Sequence, residues 1–287
     1  MITIDGKTKI CGLLGYPVEH TLSPVIHEVL ARHTGENFAY IPCQTEPAHL
    51  AEAVKGAYAM SFVGCNVTVP HKSEIIPFLS SIDPLAAKVG AVNVLVPEEG
   101  GFRGYNTDLT GLGRAMRYDG VSIPKEKTLI LGAGGASRAA AFLLAENGVT
   151  NGYILNRTLE SATKLCNNIN TTYGRTVFNP LLLSEYDKLP GDGYLAVQAT
   201  SVGLFPHNED APIMEEAFYE KCSVGYDLIY RPFETRFMRF FREQGKSSFN
   251  GLRMLIFQGI EAYEKWTGKP VPDDVVPEVI EALEKHA

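Results

Sequence analysis

Short apolar runs alternate with amphipathic stretches along almost the whole chain. Residues 9–14 and 38–42 read as strands, and between them Ser23-Pro24 opens a helix that runs to His33 and stops at Gly35. A second helix is predicted over 48–57 and a third strand over 62–69, with Pro70 opening a helix through Leu79. Residues 92–96 and 102–105 form a hairpin pattern around Glu98-Glu99-Gly100-Gly101, and Asp108 caps a helix to Tyr118. The polar stretch 119–127, with Gly120 and Pro124, reads as a linker. Beyond it come strand 128–131, helix 135–146, strand 152–155, helix 159–170, strand 194–198, helix 213–221, strand 224–229 and helix 234–244. Such alternation implies an α/β fold whose second part is a doubly wound parallel sheet. Two closing helices follow over 251–266 and 274–286; their place in the chain leaves open which part they pack on.

The junction after strand 128–131 is the most informative local pattern. Thr128-Leu129-Ile130-Leu131 runs straight into Gly132-Ala133-Gly134-Gly135-Ala136-Ser137-Arg138. A buried strand that breaks into glycines and then a helix presents backbone N–H groups at a helix N-terminus, which suits a pyrophosphate. The third glycine position of the dinucleotide fingerprint is Ser137, so the motif is a variant; a ligand-free glycine turn is the alternative. The next strand ends in Asn156-Arg157-Thr158, where an NAD enzyme would carry an acid for the ribose hydroxyls. A guanidinium there attracts a 2′-phosphate that a carboxylate would repel. The pattern therefore predicts NADP rather than NAD.

Composition narrows the class without naming the chemistry. The 287 residues are 45% hydrophobic and 21% charged, with net charge −7 and no basic run, which disfavours nucleic acid or an anionic membrane as partner. No apolar stretch approaches a spanning helix, and the N-terminus lacks a basic-then-apolar signal segment. Cys11, Cys43, Cys65, Cys166 and Cys222 are scattered and odd in number, which fits a reduced, cytoplasmic setting. The histidines show no metal-ligand spacing, so no metal is expected.

Four polar clusters fall at strand ends or helix starts in the first part of the chain. In His20-Thr21-Leu22-Ser23-Pro24, Ser23 reads as an N-cap, but a cap leaves Thr21 unexplained. In Asn66-Val67-Thr68-Val69-Pro70-His71-Lys72, strand alternation puts Asn66 and Thr68 on one face, with Lys72 just inside the next helix. Lys72 alone would be an ordinary surface lysine. Asn93 is unfavourable within a strand and needs a partner or a role. Asp108, in Asn106-Thr107-Asp108, reads equally as a cap or a functional carboxylate. Together these hydroxyls, amides, one ammonium and one carboxylate suit a small polyhydroxylated acid. Lys72 and Asp108 also form a reasonable acid/base pair, the carboxylate holding the ammonium in place.

These motifs, in this order, resemble the shikimate dehydrogenase family. The resemblance is carried by Gly15-Tyr-Pro-Val-Glu-His-Thr-Leu-Ser-Pro-Val-Ile-His27, Asn66-Val-Thr-Val-Pro-His-Lys72, Gly90-Ala-Val-Asn93 and Asn106-Thr-Asp108. It continues through the glycine turn, Asn156-Arg-Thr158, Ala199-Thr-Ser-Val-Gly203, Tyr226-Asp-Leu-Ile-Tyr-Arg-Pro-Phe-Glu-Thr235 and Met254-Leu-Ile-Phe-Gln258. It implies reversible NADPH-dependent reduction of 3-dehydroshikimate to shikimate, in the chorismate route to aromatic amino acids. It also implies a discontinuous α/β substrate domain, residues 1–112 and 249–287, and a Rossmann-like NADP domain, residues 113–248, with a cleft between them. Carried over, Thr21 and Ser23 bind the substrate carboxylate, while Asn66, Thr68, Asn93, Asp108 and Gln258 hold ring hydroxyls. Lys72 is the acid/base group, assisted by Asp108, and Tyr230 lies near the substrate. NADP lies on Gly132, Ala133, Gly134, Gly135 and Ala136, with Asn156, Arg157, Thr158 and Thr200; Gly251 and Met254 flank the nicotinamide. The expected partner is the small-molecule substrate alone, and the chain is expected as a monomer or homodimer.

Three positions depart from the family's pattern. Thr21 stands where a serine is usual, Ser161 where a second basic residue often follows the Asn-Arg-Thr motif, and Gln198 where Asn is common. The first bears on substrate choice and the second on the margin of NADP over NAD. A quinate or dual quinate/shikimate dehydrogenase would use the same machinery. A silent NADP-binding metabolite sensor is the rival from another class, and the pairing of Lys72 with Asp108 argues against it.

Overall fold

The computed structural model describes residues 4–286; the outermost positions of the expected substrate domain, residues 1–3 and Ala287, lie outside the described residues. The chain divides into two compact units. One runs to Gly111 and resumes at Ile256; the other is Leu112–Leu255.

The first unit contains β1 (Lys9–Gly15), α1 (Ser23–Thr34), β2 (Phe38–Gln44), α2 (Leu50–Ala59), β3 (Gly64–Val67), β4 (Ser81–Ile82), α3 (Pro84–Val89), β5 (Val94–Glu98), β6 (Gly101–Tyr105) and the start of α4 (Thr107–Tyr118). Its six strands lie in the order β2-β1-β3-β5-β6-β4. β1 pairs parallel with β2 and β3, whereas the β5–β6 hairpin is antiparallel and joins the sheet on β3. The sheet is therefore mixed, because a tight turn at Gly100-Gly101 returns the chain at once. Leu14, Val54, Phe62, Cys65, Val67, Ile75, Leu95 and Phe102 form a core on it.

The second unit holds β7 (Thr128–Leu131), α5 (Gly135–Glu146), β8 (Gly152–Asn156), α6 (Leu159–Tyr173), β9 (Phe178–Leu182), β10 (Tyr194–Gln198), α7 (Glu216–Glu220), β11 (Cys222–Asp227), α8 (Arg236–Glu243) and β12 (Ser247–Phe249). All neighbours pair parallel, in the order β12-β11-β10-β7-β8-β9. The winding reverses between β7 and β10, the switch point where such sheets bind ligands. The chain ends in α9 (Leu252–Thr267) and α10 (Val276–Glu284). Within the first unit α10 packs on α1, where Arg32 pairs with Glu278 at 2.7 Å. The indole of Trp266 donates to the Leu95 carbonyl at 2.9 Å.

Several local expectations are corrected. The helix expected from Pro70 through Leu79 does not form; only Ile76–Phe78 makes a 3-10 turn. Pro77 has no N–H to continue a helix, and the Lys72 carbonyl accepts from the Val92 amide at 2.7 Å instead of serving a helical turn. Ser23 is not a cap: Leu22 holds that position without a side-chain bond, and Ser23 is already helical. Asp108 is not the cap of α4 either. Asn106 Oδ1 accepts from the amides of Asp108 at 3.1 Å and Leu109 at 3.3 Å, which releases the Asp108 carboxylate. β4, α3 and β12 escape the periodic reading because each is too brief to repeat, and β9 because Asn179 and Pro180 interrupt its apolar run.

Candidate functional site

In the first unit the polar clusters meet on the ends of β3 and β5 and the start of α4. Lys72 Nζ donates to Asp108 Oδ2 at 2.7 Å, with the two side chains 32% and 17% exposed. An ammonium has three N–H donors, so the ion pair leaves others for a reactant. Asp108 Oδ1 accepts from Asn93 Nδ2 at 2.9 Å, and that same amide nitrogen lies 3.1 Å from Thr107 Oγ1. Asn93 Oδ1 accepts the Thr107 amide at 2.7 Å. Both ends of the Asn93 amide are therefore occupied, and its cost in a strand is met by these bonds.

The network continues on both sides. The Asn93 carbonyl accepts from Asn66 Nδ2 at 3.1 Å, and Asn66 Oδ1 accepts from the Tyr40 hydroxyl at 2.8 Å. Thr107 Oγ1 donates to the Gln258 carbonyl at 3.0 Å, which ties α4 to α9 within the unit. At the same crossing a Cβ on Gly111 would lie 2.6 Å from the Gln258 backbone nitrogen, so only glycine admits this approach. Thr21 Oγ1 accepts from the Ser23 amide at 3.2 Å, leaving its own proton free to donate. The Ser23 side chain reaches the Tyr40 phenol. Thr68 stands apart from the network: it lies one residue beyond β3, and its methyl fills the space over Gly15.

His27 and Tyr40 sit behind this surface. Their rings stack at 4.2 Å and 18°. Burial pulls His27 down from 6.5 to about 3, against a smaller opposing pull from the Asn66 side chain, so the imidazole is neutral. Desolvation holds the Tyr40 phenol well above its usual range, so it stays protonated.

The second unit builds a different surface at the ends of β7, β8 and β10. Gly132 has φ +109°, and a Cβ there would lie 2.9 Å from both Ser137 Oγ and Thr200 Cγ2. Ser137 is buried and faces the Ala199 carbonyl at 3.4 Å, giving the close packing of helix on strand that a third glycine would otherwise permit. Ala133 is half-buried, and Gly134, Gly135 and Ala136 are exposed. A Cβ on Gly134 or Gly135 would meet nothing within 4 Å, and no side chain caps α5. The first-turn N–H groups thus face open space, as a diphosphate requires.

At the end of β8, Asn156 Nδ2 donates to the Thr158 carbonyl and hydroxyl, each at 3.1 Å, and Thr158 Oγ1 donates to Ser161 Oγ at 2.9 Å. This braces the turn that carries the exposed Arg157. Arg138 lies along its own helix over Phe142, at 5.4 Å. Gln198 braces the loop after β10: its Oε1 accepts from the Thr200 amide and its Nε2 donates to the Val202 carbonyl at 3.1 Å.

After β11 the buried Asp227 accepts from the Ile229 amide at 2.9 Å and from Thr235 Oγ1 at 2.6 Å. Burial raises its pKa from 3.8 to about 7. These bonds shape the segment that carries Tyr230. Gly251 donates to the Ile229 carbonyl at 2.9 Å, and a Cβ on it would lie 2.2 Å from the Leu228 carbonyl oxygen. Next to Met254, Arg253 pairs with the buried Asp119 at 2.6 Å, which also accepts from Tyr226 at 3.0 Å.

Tyr40 and the Asp119–Arg253 pair were not legible, and within Asn106-Thr107-Asp108 only Asp108 had a role assigned. For Tyr40 a signal existed: alternation in 38–42 puts it on the face of Phe38, and an inward tyrosine hydroxyl needs a partner. Among the described residues no His/Cys/Asp/Glu group could hold a metal, and no helix is long and apolar enough to cross a membrane.

Comparison with known proteins agrees across the chain. Residues 13–95 match the shikimate dehydrogenase substrate binding domain, 116–188 the shikimate/quinate 5-dehydrogenase domain, and 251–283 the shikimate 5′-dehydrogenase C-terminal domain. The chain is 39% identical to shikimate dehydrogenase (NADP+) of Desulforamulus reducens, covering 96% of both chains. It is 38% identical to shikimate dehydrogenase (NADP+) of Moorella thermoacetica, covering 98% of this chain and 95% of the relative. Among solved structures it resembles shikimate 5-dehydrogenase of Listeria monocytogenes in complex with shikimate and NAD, with TM-score 0.88, 31% identity, and coverage of 96% and 98%. With identity at this level over nearly its whole length, the chain belongs to the shikimate dehydrogenase family.

Proposed function

We propose that the chain is an NADP-dependent dehydrogenase that interconverts shikimate and 3-dehydroshikimate. The observation that carries the reading is the Lys72–Asp108 pair at 2.7 Å, continued through Asn93 and Asn66 by hydrogen bonds of 2.9 and 3.1 Å. In this reading the first unit is the substrate half and the second the cofactor half. Thr21 and Ser23 bind the substrate carboxylate, Ser23 by turning its single O–H from the Tyr40 phenol, and Asn66, Thr68, Asn93, Asp108 and Gln258 hold ring hydroxyls. Tyr230 borders the substrate.

NADP fits the second unit. Gly132 to Ala136 offer an uncapped helix start with no side chain in the way, and Arg157 on its braced turn meets the 2′-phosphate. Thr200 closes the turn, and Gly251 and Met254 border the nicotinamide. When bound, the nicotinamide accepts or gives a hydride. Lys72 Nζ handles the proton: it protonates the oxygen as the ketone is reduced, and as a neutral amine it takes the hydroxyl proton in oxidation. Asp108 holds Nζ in place and accepts from a ring hydroxyl. Five free thiols support a reducing, cytoplasmic setting, and the pathway is the chorismate route to aromatic amino acids.

The test is NADPH formation followed by absorbance, with shikimate and then quinate. Turnover with shikimate and NADP+ supports the reading. A chain that binds NADP+ yet turns over neither substrate would be a sensor.

A further inference from the structure

Tyr40 lies outside the residues to which the family reading gives a role. We propose that it is a positioning residue for substrate recognition, its hydroxyl tethering the Asn66 amide in the orientation that holds a ring hydroxyl. The inference rests on the shikimate reading above and deepens it.

Asn66 has few hydrogen-bonding groups to spare. Its side chain is buried beside the His27 ring, and two hydrogen bonds hold it: Oδ1 accepts from the Tyr40 hydroxyl at 2.8 Å and Nδ2 donates to the Asn93 carbonyl at 3.1 Å. With both in place the amide plane is fixed, and one N–H of Nδ2 remains for a ligand. With only the second, the amide can rotate about its terminal torsion, which is broad for asparagine. Tyr40 is itself well held. Its ring stacks on the neutral His27 at 4.2 Å, and its phenol is protonated and therefore a permanent donor. The Ser23 side chain reaches the same phenol. One hydroxyl thus links the motif that takes the carboxylate to the motif that takes the ring, although β2 carries no residue that itself meets the substrate in this reading.

The experiment is a double-mutant cycle on Tyr40 and Asn66, read by steady-state kinetics with melting temperatures measured alongside. Tyr40→Phe removes one oxygen and keeps the stack on His27, so the fold should survive. The expected result is a KM for shikimate raised about tenfold, with the KM for NADP+ unchanged and kcat lowered less than KM is raised. In an Asn66→Ala background the same change should add less than about twofold, because the residue it positions is gone. Equal effects in both backgrounds would overturn the inference, as would a parallel rise in both KM values. Wild-type protein inactive on shikimate would instead overturn the functional reading, and this inference with it.

Discussion

Asn93 Nδ2 donates to Asp108 Oδ1 at 2.9 Å, on the carboxylate oxygen that Lys72 leaves free. The aspartate is thus held from two sides, and its orientation does not depend on the lysine alone. Asn93→Ala removes that support and strands the buried Thr107 amide, which loses its 2.7 Å acceptor. An unsatisfied buried donor costs about 1–3 kcal/mol. The expected outcome is an unfolding free energy lower by that amount, read as a lower midpoint in urea, together with a raised KM for shikimate. An unchanged midpoint would mean that water replaces Asn93.

Lys72→Ala should lower kcat by roughly 10²–10⁴-fold, the usual size of a general acid–base contribution, with KM moving much less. Stability should change little, since the Lys72–Asp108 pair is partly exposed and such pairs contribute about 0–1 kcal/mol. Near-wild-type kcat in the variant would remove Lys72 from the mechanism.

Arg157→Ala should weaken NADP+ while leaving NAD+ almost untouched, because only the 2′-phosphate loses a partner. Ser161 supplies no second cation on this turn; its neutral hydroxyl accepts from Thr158. Comparing KM for the two cofactors checks this; equal losses would place the guanidinium on adenine instead.

Two buried groups should tilt stability against pH in opposite directions. Asp227 rises from 3.8 to about 7, so between those values the folded chain holds a proton that the unfolded chain has lost. Its contribution therefore falls as pH rises from about 4 to about 7. His27 drops from 6.5 to about 3, so the unfolded chain is the one that binds the proton. Its contribution is lost as pH falls from about 6.5 to about 3. Asp227→Asn can retain contacts to Ile229 and Thr235 without titrating. Its melting temperature relative to wild type should therefore climb from pH 5 to pH 8, and a flat difference would contradict the assignment.

Thr21 should favour shikimate over quinate. Its Oγ1 already accepts from the Ser23 amide; with Thr21 on the carboxylate, as proposed, its methyl would add bulk where quinate carries an extra hydroxyl on a tetrahedral carbon. Burying that hydroxyl unpaired costs about 1–3 kcal/mol. We expect kcat/KM for shikimate at least tens of times that for quinate, and Thr21→Ser should keep shikimate activity within a few-fold. Similar efficiency on both substrates would favour dual specificity.

In the second unit β7, β8, β10 and β11 were readable because each is a short, largely apolar run, and α5 begins and ends where the pattern places it, whereas β9 and β12 carry polar residues or proline. In the first unit the pattern misled wherever a tertiary bond replaced a local one. Pro70 signals a helix, but the Lys72 carbonyl is taken by Val92. Asp108 looks like a cap, but Asn106 does that work and the carboxylate turns to Lys72. The pairing of Lys72 with Asp108 was readable from the residue types, whereas the bonds by which Asn93 holds Asp108 and Thr107 were not, since no spacing rule joins a strand-end amide to a helix start. Tyr40 was missed because its partner, Asn66, lies on a strand that is not its neighbour in the sheet.

The crossing of α4 and α9 at Gly111 has a consequence for how this enzyme fails. Gly111 has no side chain to offer a reactant, yet any side chain placed there must be wedged between two helices, one carrying Asp108 and the other Gln258. The spacing of those two groups is thus set by a missing methyl. In a blind survey of inactivating mutations, Gly111 should appear among the reactive residues themselves, a position intolerant of change for what it leaves out.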